Sequence, residues 1–240
     1  MWEIDIIIEY KYRKYLLYLK ENITASKYYN KKGIFAIIKI ESNAVLSIAI
    51  IDIDDRLKEQ IIEWIAECVV FSEKERYILS SKLLPNNEYK NTFLKALVMV
   101  DMTEDVKMVS SHINLDEDTI NLHSLFKFRL PHLEKKWKAM LERFFTKDEI
   151  LDNSKIMEIL KDITACTQNS EIIRVRKKND NYIIESSISN IYITAKDDTD
   201  LIANLILLSP KEIHIYCSQY ISTESMVLLT YLFCNIIQSN

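Results

Sequence analysis

Arg129 stands between Phe128 and Leu130. A guanidinium there can fork onto a carboxylate or a phosphate, where a lysine offers only a point charge. His214 and Tyr216 alternate with Ile213 and Ile215, which places both on the strand face opposite the isoleucines, near a strand end, where open α/β sheets bind ligands. Phe128, Arg129, Asp200, His214 and Tyr216 are therefore the candidate interaction or pocket residues. Each has a plainer use as well. Arg129 suits an ion pair with an acid such as Asp200 or Glu134, and His214 suits a hydrogen bond at a helix–strand packing surface.

Other groups carry weaker signals. His112, His123 and His132, spread around Asp116, Glu117 and Asp118, match no standard zinc or two-histidine-one-carboxylate spacing, so no metal ligands are assigned. Asp52, Asp54 and Asp55 could offer oxygens to magnesium, but the N-cap of a helix starting near Arg56 accounts for them with less. Cys68, Cys166 and Cys234 fall on the apolar sides of expected helices, which leaves Cys217, next to a strand end, as the thiol worth testing. Arg174, Arg176, Lys177 and Lys178 interleave with Tyr182 and Tyr192, a pattern that single-stranded nucleic acid can use through stacking and phosphate contacts.

Composition narrows the choice. Thirty-one Lys and Arg against thirty-five Asp and Glu give a net charge of -4, so no global positive field favours nucleic acid or an anionic bilayer. The 240 residues include one glycine, Gly33. That excludes a P-loop, a dinucleotide fingerprint, a GxSxG elbow and a standard EF-hand loop, and no cofactor is assigned. Met1 to Glu9 alternates acids with isoleucines, which fits a strand rather than a signal peptide. The apolar run Met226 to Ile237 falls short of the ~20 residues a bilayer span needs. The expectation is a soluble cytoplasmic protein with reduced thiols.

The elements that must position these residues follow from periodicity. A strand from Glu3 to Ile8 leads to a helix from Tyr10 to Asn22, then to a hairpin of Ile34–Glu41 and Ala44–Ile51 turning at Ser42 and Asn43. Helices are expected through Leu57 to Cys68, from Ser72 to Leu84, from Asn86 or Asn87 through Phe93 towards Val109, from Pro131 to Phe145, and from Lys147 to Thr167. After Glu171 the period becomes two. Three strands near Ile173–Arg176, Tyr182–Ser186 and Asn190–Thr194 form a meander, before a helix to Leu208, a strand Glu212–Cys217 and a last helix from Thr223 to Ile237. The fold class is α+β: an N-terminal β-α-β-β element (1–84), a helical middle (85–168) and a C-terminal βββαβα lobe (169–240).

Two stretches resemble a known family. Ile120-Asn121-Leu122-His123-Ser124-Leu125-Phe126-Lys127-Phe128-Arg129-Leu130 is similar to the Gly-Phe-x-x-Phe-Arg-Leu region of the YtxC-like sporulation proteins of spore-forming Firmicutes. The run from Asp200 through Leu205, Ser209 and Pro210 to Ile213 is similar to that family's Asp-Leu-Leu-Ile-Ser-x-Leu-Ile-x-x-Ala-Pro-x-x-Ile region. The likeness covers roughly the carboxyl half. Ser124 stands near the place of the family's glycine and Tyr216 where a histidine is common, so roles that depend on those two groups do not carry over. The resemblance implies a part in endospore formation, in the cytoplasm of mother cell or forespore, and no assigned reaction. With every glycine-dependent catalytic motif excluded, the function expected is non-enzymatic binding of another macromolecule, a protein before a nucleic acid, with a homodimer as a second use of exposed apolar surface. The enzyme alternative is a metal- or histidine-assisted hydrolase or transferase using Arg129, His214 and Tyr216.

Overall fold

A computed structural model describes residues 1–84, 90–145, 153–167, 170–186 and 192–238. The chain is mixed α and β and divides into two compact units, Met1–Ser80 with Met102–Arg143, and Ser81–Asp101 with Phe144–Asn240. These limits differ from the boundaries near 84 and 168 drawn from periodicity, because each unit is assembled from two separated stretches of chain.

The first unit is built on a four-stranded sheet. Strands β1 (Trp2–Glu9), β2 (Gly33–Ile40), β3 (Asn43–Ile50) and β4 (Thr119–Asn121) lie in the order β2-β3-β1-β4, with β4 parallel to β1 and the other pairs antiparallel. Ile4, Ile6 and Ile8 of β1 and Leu46, Ile48 and Ile50 of β3 point inward and are buried. They pack against the buried stripes of α1 (Lys14–Ala25) and α2 (Asp55–Ser80), notably Leu16, Leu19 and Ile23, and Leu57, Ile61 and Ile65. The hairpin turns on Glu41 and Ser42, one residue earlier than expected. Glu41 takes φ 52, the left-handed conformation that a tight hairpin demands at its first loop residue and that glycine usually supplies.

Helix α2 runs unbroken where two helices were expected. Ser72, Glu73 and Lys74 are buried, so a polar trio occupies turns where an apolar stripe would have announced continuity. Asp54 caps it through Oδ1, which accepts from the N–H of Arg56 at 2.8 Å. The next expected helix is instead two, α3 (Lys90–Met99) and α4 (Met102–Ser110), split at Asp101 with φ 55. Helices α5 (Leu122–Arg129) and α6 (Pro131–Phe144) complete the first unit, with Asn121 capping α5 and Pro131 opening α6 as its sequence position predicts. Trp137 of α6 is stacked on Phe126 of α5, ring centroids 5.1 Å apart.

Lys74 and Asp105, both wholly excluded from solvent, meet at 2.8 Å and join α2 to α4. The indole N–H of Trp137 donates to Asp105 Oδ2 at 2.8 Å, and Lys136 Nζ donates to Asp105 Oδ1 at 2.8 Å and to Glu104 at 3.0 Å.

The second unit contains α3, α7 (Asn153–Thr167), α8 (Asp198–Leu208), α9 (Thr223–Leu232) and strands β5 (Ile172–Lys178), β6 (Asn181–Ser186), β7 (Tyr192–Ala195), β8 (Glu212–Ile215) and β9 (Ile236–Gln238). The order β7-β6-β5-β8-β9 is an antiparallel meander extended by two parallel strands. It is the expected βββαβα order closed by one further strand. Phe233 to Ile237 continues the apolar character of α9, which hid the change from helix to strand. Both crossovers, through α8 and through α9, step in the same direction along the sheet, and right-handed connections then put both helices on one face. Alternation agrees: Ile173, Val175, Ile213 and Ile215 are buried, while Arg174 and Arg176 are exposed on the other side.

Among the described residues no helix is long and apolar enough to cross a membrane. Removing Asp105 takes its carboxylate away from the buried Lys74 ammonium and breaks a fully buried ion pair. Asp105→Ala is expected to cost about 3–5 kcal/mol, measured as a lowered urea midpoint at unchanged slope.

Candidate functional site

The five candidate residues are divided between the units. Phe128, in the last turn of α5, is 75% exposed. Arg129 beside it pairs with neither Asp200 nor Glu134. Its Nη2 donates to Glu117 Oε1 at 3.0 Å and its Nη1 to the carbonyl of His112 at 3.2 Å. In the second unit, Asp200 in the first turn of α8 holds Lys95 at 3.3 Å and accepts from the N–H of Lys196. His214 Nε2 bonds Glu212, and its ring stacks on Tyr216 at 6.4 Å. The Arg176 guanidinium lies 5.4 Å from the centroid of the Tyr216 ring, so three groups from β5 and the end of β8 gather on the sheet face turned away from the buried isoleucines.

The basic hairpin is spent differently from the expectation. Arg176 faces Glu185 at 3.6 Å, and Lys177 Nζ sits 4.3 Å from the Tyr182 ring. Tyr182 is buried and offers no stacking platform. Its hydroxyl shares one proton between Asp198 Oδ1 at 2.6 Å and the Tyr220 carbonyl at 2.7 Å, pinning α8 to the sheet. The Tyr192 side chain lies outside the described residues. Cys217, the thiol worth testing, is buried too, and burial pushes its thiol up, which disfavours a nucleophilic thiolate there. Cys68 is buried as expected, Cys234 is exposed rather than on an apolar face, and the Cys166 side chain lies outside the described residues. Among the described residues no group of three or more His, Cys, Asp and Glu is placed to hold a metal ion. His112 and His132 approach to 6.3 Å between ring centroids.

A different cluster has the geometry of a site. A cavity of about 460 Å³ is lined by Glu9, Lys11, Ser42, Asn43, Asn121, His123 and Ser124, where β1 ends and α5 begins. Behind His123 lies Glu73 of α2, with only 1% of its side chain exposed. His123 Nδ1 is 3.0 Å from Glu73 Oε2 and 2.8 Å from Arg76 Nη1. One ring nitrogen cannot serve both. It either donates its proton to Glu73 or accepts one from Arg76, so the histidine tautomer is tied to the charge of the carboxyl.

Burial pushes the Glu73 carboxyl above the usual carboxylate range, against the hydrogen bond from His123 and the charge of Arg76. Glu9 shows the opposite balance. Burial alone would raise its carboxyl, but Lys11 at 2.9 Å and Arg76 at 2.8 Å bring it below its ordinary value. The Arg76 guanidinium is under-used, since its buried Nε and Nη2 make no aligned hydrogen bond although Nη2 lies at ion-pair distance from Glu9. Sequence reading singled out His123 only as one of three scattered histidines. Glu73 and Arg76 lie about 50 residues away on a helix, and their signal is the polar trio that interrupts the apolar stripe of α2.

No family model, no curated protein and no solved structure matches the chain.

A carboxyl raised in the folded state contributes stability that is fully present below its ordinary value of 4.5 and lost as pH rises through the folded value. Glu73→Gln has no proton to lose there. The melting temperature of the variant minus that of the wild type is therefore expected to climb as pH is raised from 4.5 towards neutrality, and a constant difference would contradict the assignment.

Proposed function

We propose that this chain is a sporulation-associated protein of the YtxC-like kind, cytoplasmic in mother cell or forespore, that works without catalysis by docking a protein partner. The observation that carries the docking reading is the cluster of Arg176, His214 and Tyr216 on the uncovered face of the C-terminal sheet. Tyr216 is 40% exposed, and Ile237 of the neighbouring edge strand is exposed as well. Arginine stacked on an aromatic ring, beside a second ring and an apolar neighbour, is the composition from which protein–protein hot spots are made. Glu185 stands beside the Arg176 guanidinium and Glu212 beside His214, so the face carries acids as well as a cation. That balance suits a protein partner better than a polyanion.

A second reading is favoured by the His123 cluster. With Nδ1 facing Glu73, the other ring nitrogen is left for the solvent side, the arrangement of a histidine general base oriented by a carboxylate. This retains a histidine-assisted hydrolase or transferase as the alternative, relocated from Arg129, His214 and Tyr216 to His123 and Glu73. A screen of chromogenic esters and phosphates would show turnover abolished in His123→Ala.

For the docking reading, crosslinking capture from sporulating cells is expected to recover a partner with the wild type. Tyr216→Ala combined with Arg176→Ala is expected to lose it while melting cooperatively, and Arg129→Ala, which removes an exposed pair worth under about 1 kcal/mol, to retain it. Capture that survives the double variant would remove the face from the proposal.

A further inference from the structure

The N-terminal sheet has an open edge at β2. All eight of its residues pair with β3 on one side, and among the described residues no strand pairs on the other. In a hairpin with a two-residue loop, the residues flanking the loop exchange both main-chain bonds. Starting from the Ile40–Asn43 pair, bonds to β3 therefore fall on Ile34, Ala36, Ile38 and Ile40. The main-chain groups of Phe35, Ile37 and Lys39 face the open side, while the Gly33 carbonyl, which faces the same way, is met by the Tyr29 hydroxyl at 3.4 Å.

Native edges are usually blunted by charge, proline, bulges or shortness. This one carries Lys39 as its only charge within an eight-residue run, GIFAIIKI. On the outer sheet face Ile34 is 76%, Ile38 49% and Ile40 50% exposed. Two strands away, the same face of β1 shows Glu3, Asp5 and Glu9 around a half-buried Ile7. The apolar character is concentrated where an added strand would lie.

We propose that β2 pairs antiparallel with β2 of a second copy of this chain, about a two-fold axis through Ile37, to form one continuous sheet across the dimer. A two-fold perpendicular to the sheet keeps outer faces together, so opposite residues must share a face. The axis at Ile37 meets that requirement. Ile34 then faces Ile40 of the second copy and Ala36 faces Ile38, an all-apolar ladder on the outer side. On the inner side Phe35 faces Lys39 of the second copy, so no like charges are opposed. About six main-chain hydrogen bonds form from Phe35, Ile37 and Lys39 of the two copies.

The strand ends are complementary as well. Lys31 and Lys32 precede β2 and Glu41 follows it, all exposed. The antiparallel two-fold sets Glu41 of each copy opposite Gly33 and beside Lys32 of the other. A strand offered by an unrelated protein would satisfy the edge, but the match of the basic start to the acidic end is self-complementary and selects a second copy.

Sedimentation equilibrium of the full chain tests this. The wild type is expected to be a dimer at micromolar concentration. Ile38→Lys, a change at an exposed side chain, is expected to raise the dimer dissociation constant by about tenfold or more with the far-ultraviolet spectrum unchanged. Glu41→Lys is expected to weaken the dimer, and Lys32→Glu combined with Glu41→Lys to recover it. The charge pair decides the matter should Ile38→Lys fail to fold. A wild type monomeric to about 100 µM, a constant unmoved by Ile38→Lys, or a double exchange no tighter than Glu41→Lys alone would each overturn the proposal.

Discussion

The buried pair of Lys74 and Asp105 is the constraint on which the N-terminal unit turns. Two ions removed from water cost several kcal/mol each unless their hydrogen-bonding capacity is met by well-placed partners. Asp105 is met on both oxygens, by Lys74 and the Trp137 indole on one and Lys136 on the other. Those donors come from α2 and α6, so the carboxylate is satisfied only when three helices reach one arrangement. Apolar packing alone would tolerate small rotations of α2. Because successive residues lie about 100° apart around a helix, fixing Lys74 also fixes the directions of Glu73 and Arg76. The rotation that seats the buried lysine is the rotation that aims the His123 cluster, and core and site are set by one contact.

A second constraint is the scarcity of glycine. The single glycine does not serve a left-handed turn. A Cβ at Gly33 would stand 2.9 Å from the Ala49 carbonyl and 3.0 Å from the Tyr29 hydroxyl, so its role is close approach at the start of β2. Among the described residues the left-handed positions fall to Lys31, Glu41, Asp52, Lys82, Asp101, Asn179 and Ser209. Each non-glycine residue in that conformation costs on the order of 1–2 kcal/mol, less for Asn and Asp, which bond locally. The chain meets part of this cost with side chains: Ser209 Oγ donates to the Ile206 carbonyl at 2.7 Å where α8 ends.

How much of this was legible depended on the range of the signal. Strands β1 to β3, helix α6 behind Pro131 and the meander β5 to β7 were readable because period and punctuation are local. Helix α2 was read as two because Ser72, Glu73 and Lys74 are polar in sequence and buried in the fold. Strands β4 and β9, three residues each, exist through parallel pairing with β1 and β8, and no window of their own sequence carries that partner. The site divided in the same way. His214 and Tyr216 share a face by simple alternation and are found stacked together. Arg129 does pair with an acid, but Glu117 is not one that spacing points to, since the loop carrying it is positioned only once β4 has paired. The Glu73–His123 contact spans 50 residues and is visible only in three dimensions.

The two proposed surfaces reinforce each other in one respect. The Arg176–Tyr216 face is small, and a single small polar face of mixed charge binds weakly, because the cost of immobilising two molecules is set against few desolvated anchors. Pairing through β2 would give every assembly two such faces. Once one face has engaged a partner array or a dimeric partner, the second is tethered to it and binds at a raised effective concentration, so avidity exceeds either single affinity without any new contact. Breaking the β2 edge would then weaken partner capture while leaving every residue of the docking face in place. A separate small-molecule role for the His123 cavity would be indifferent to that change, since all of its lining residues come from one chain.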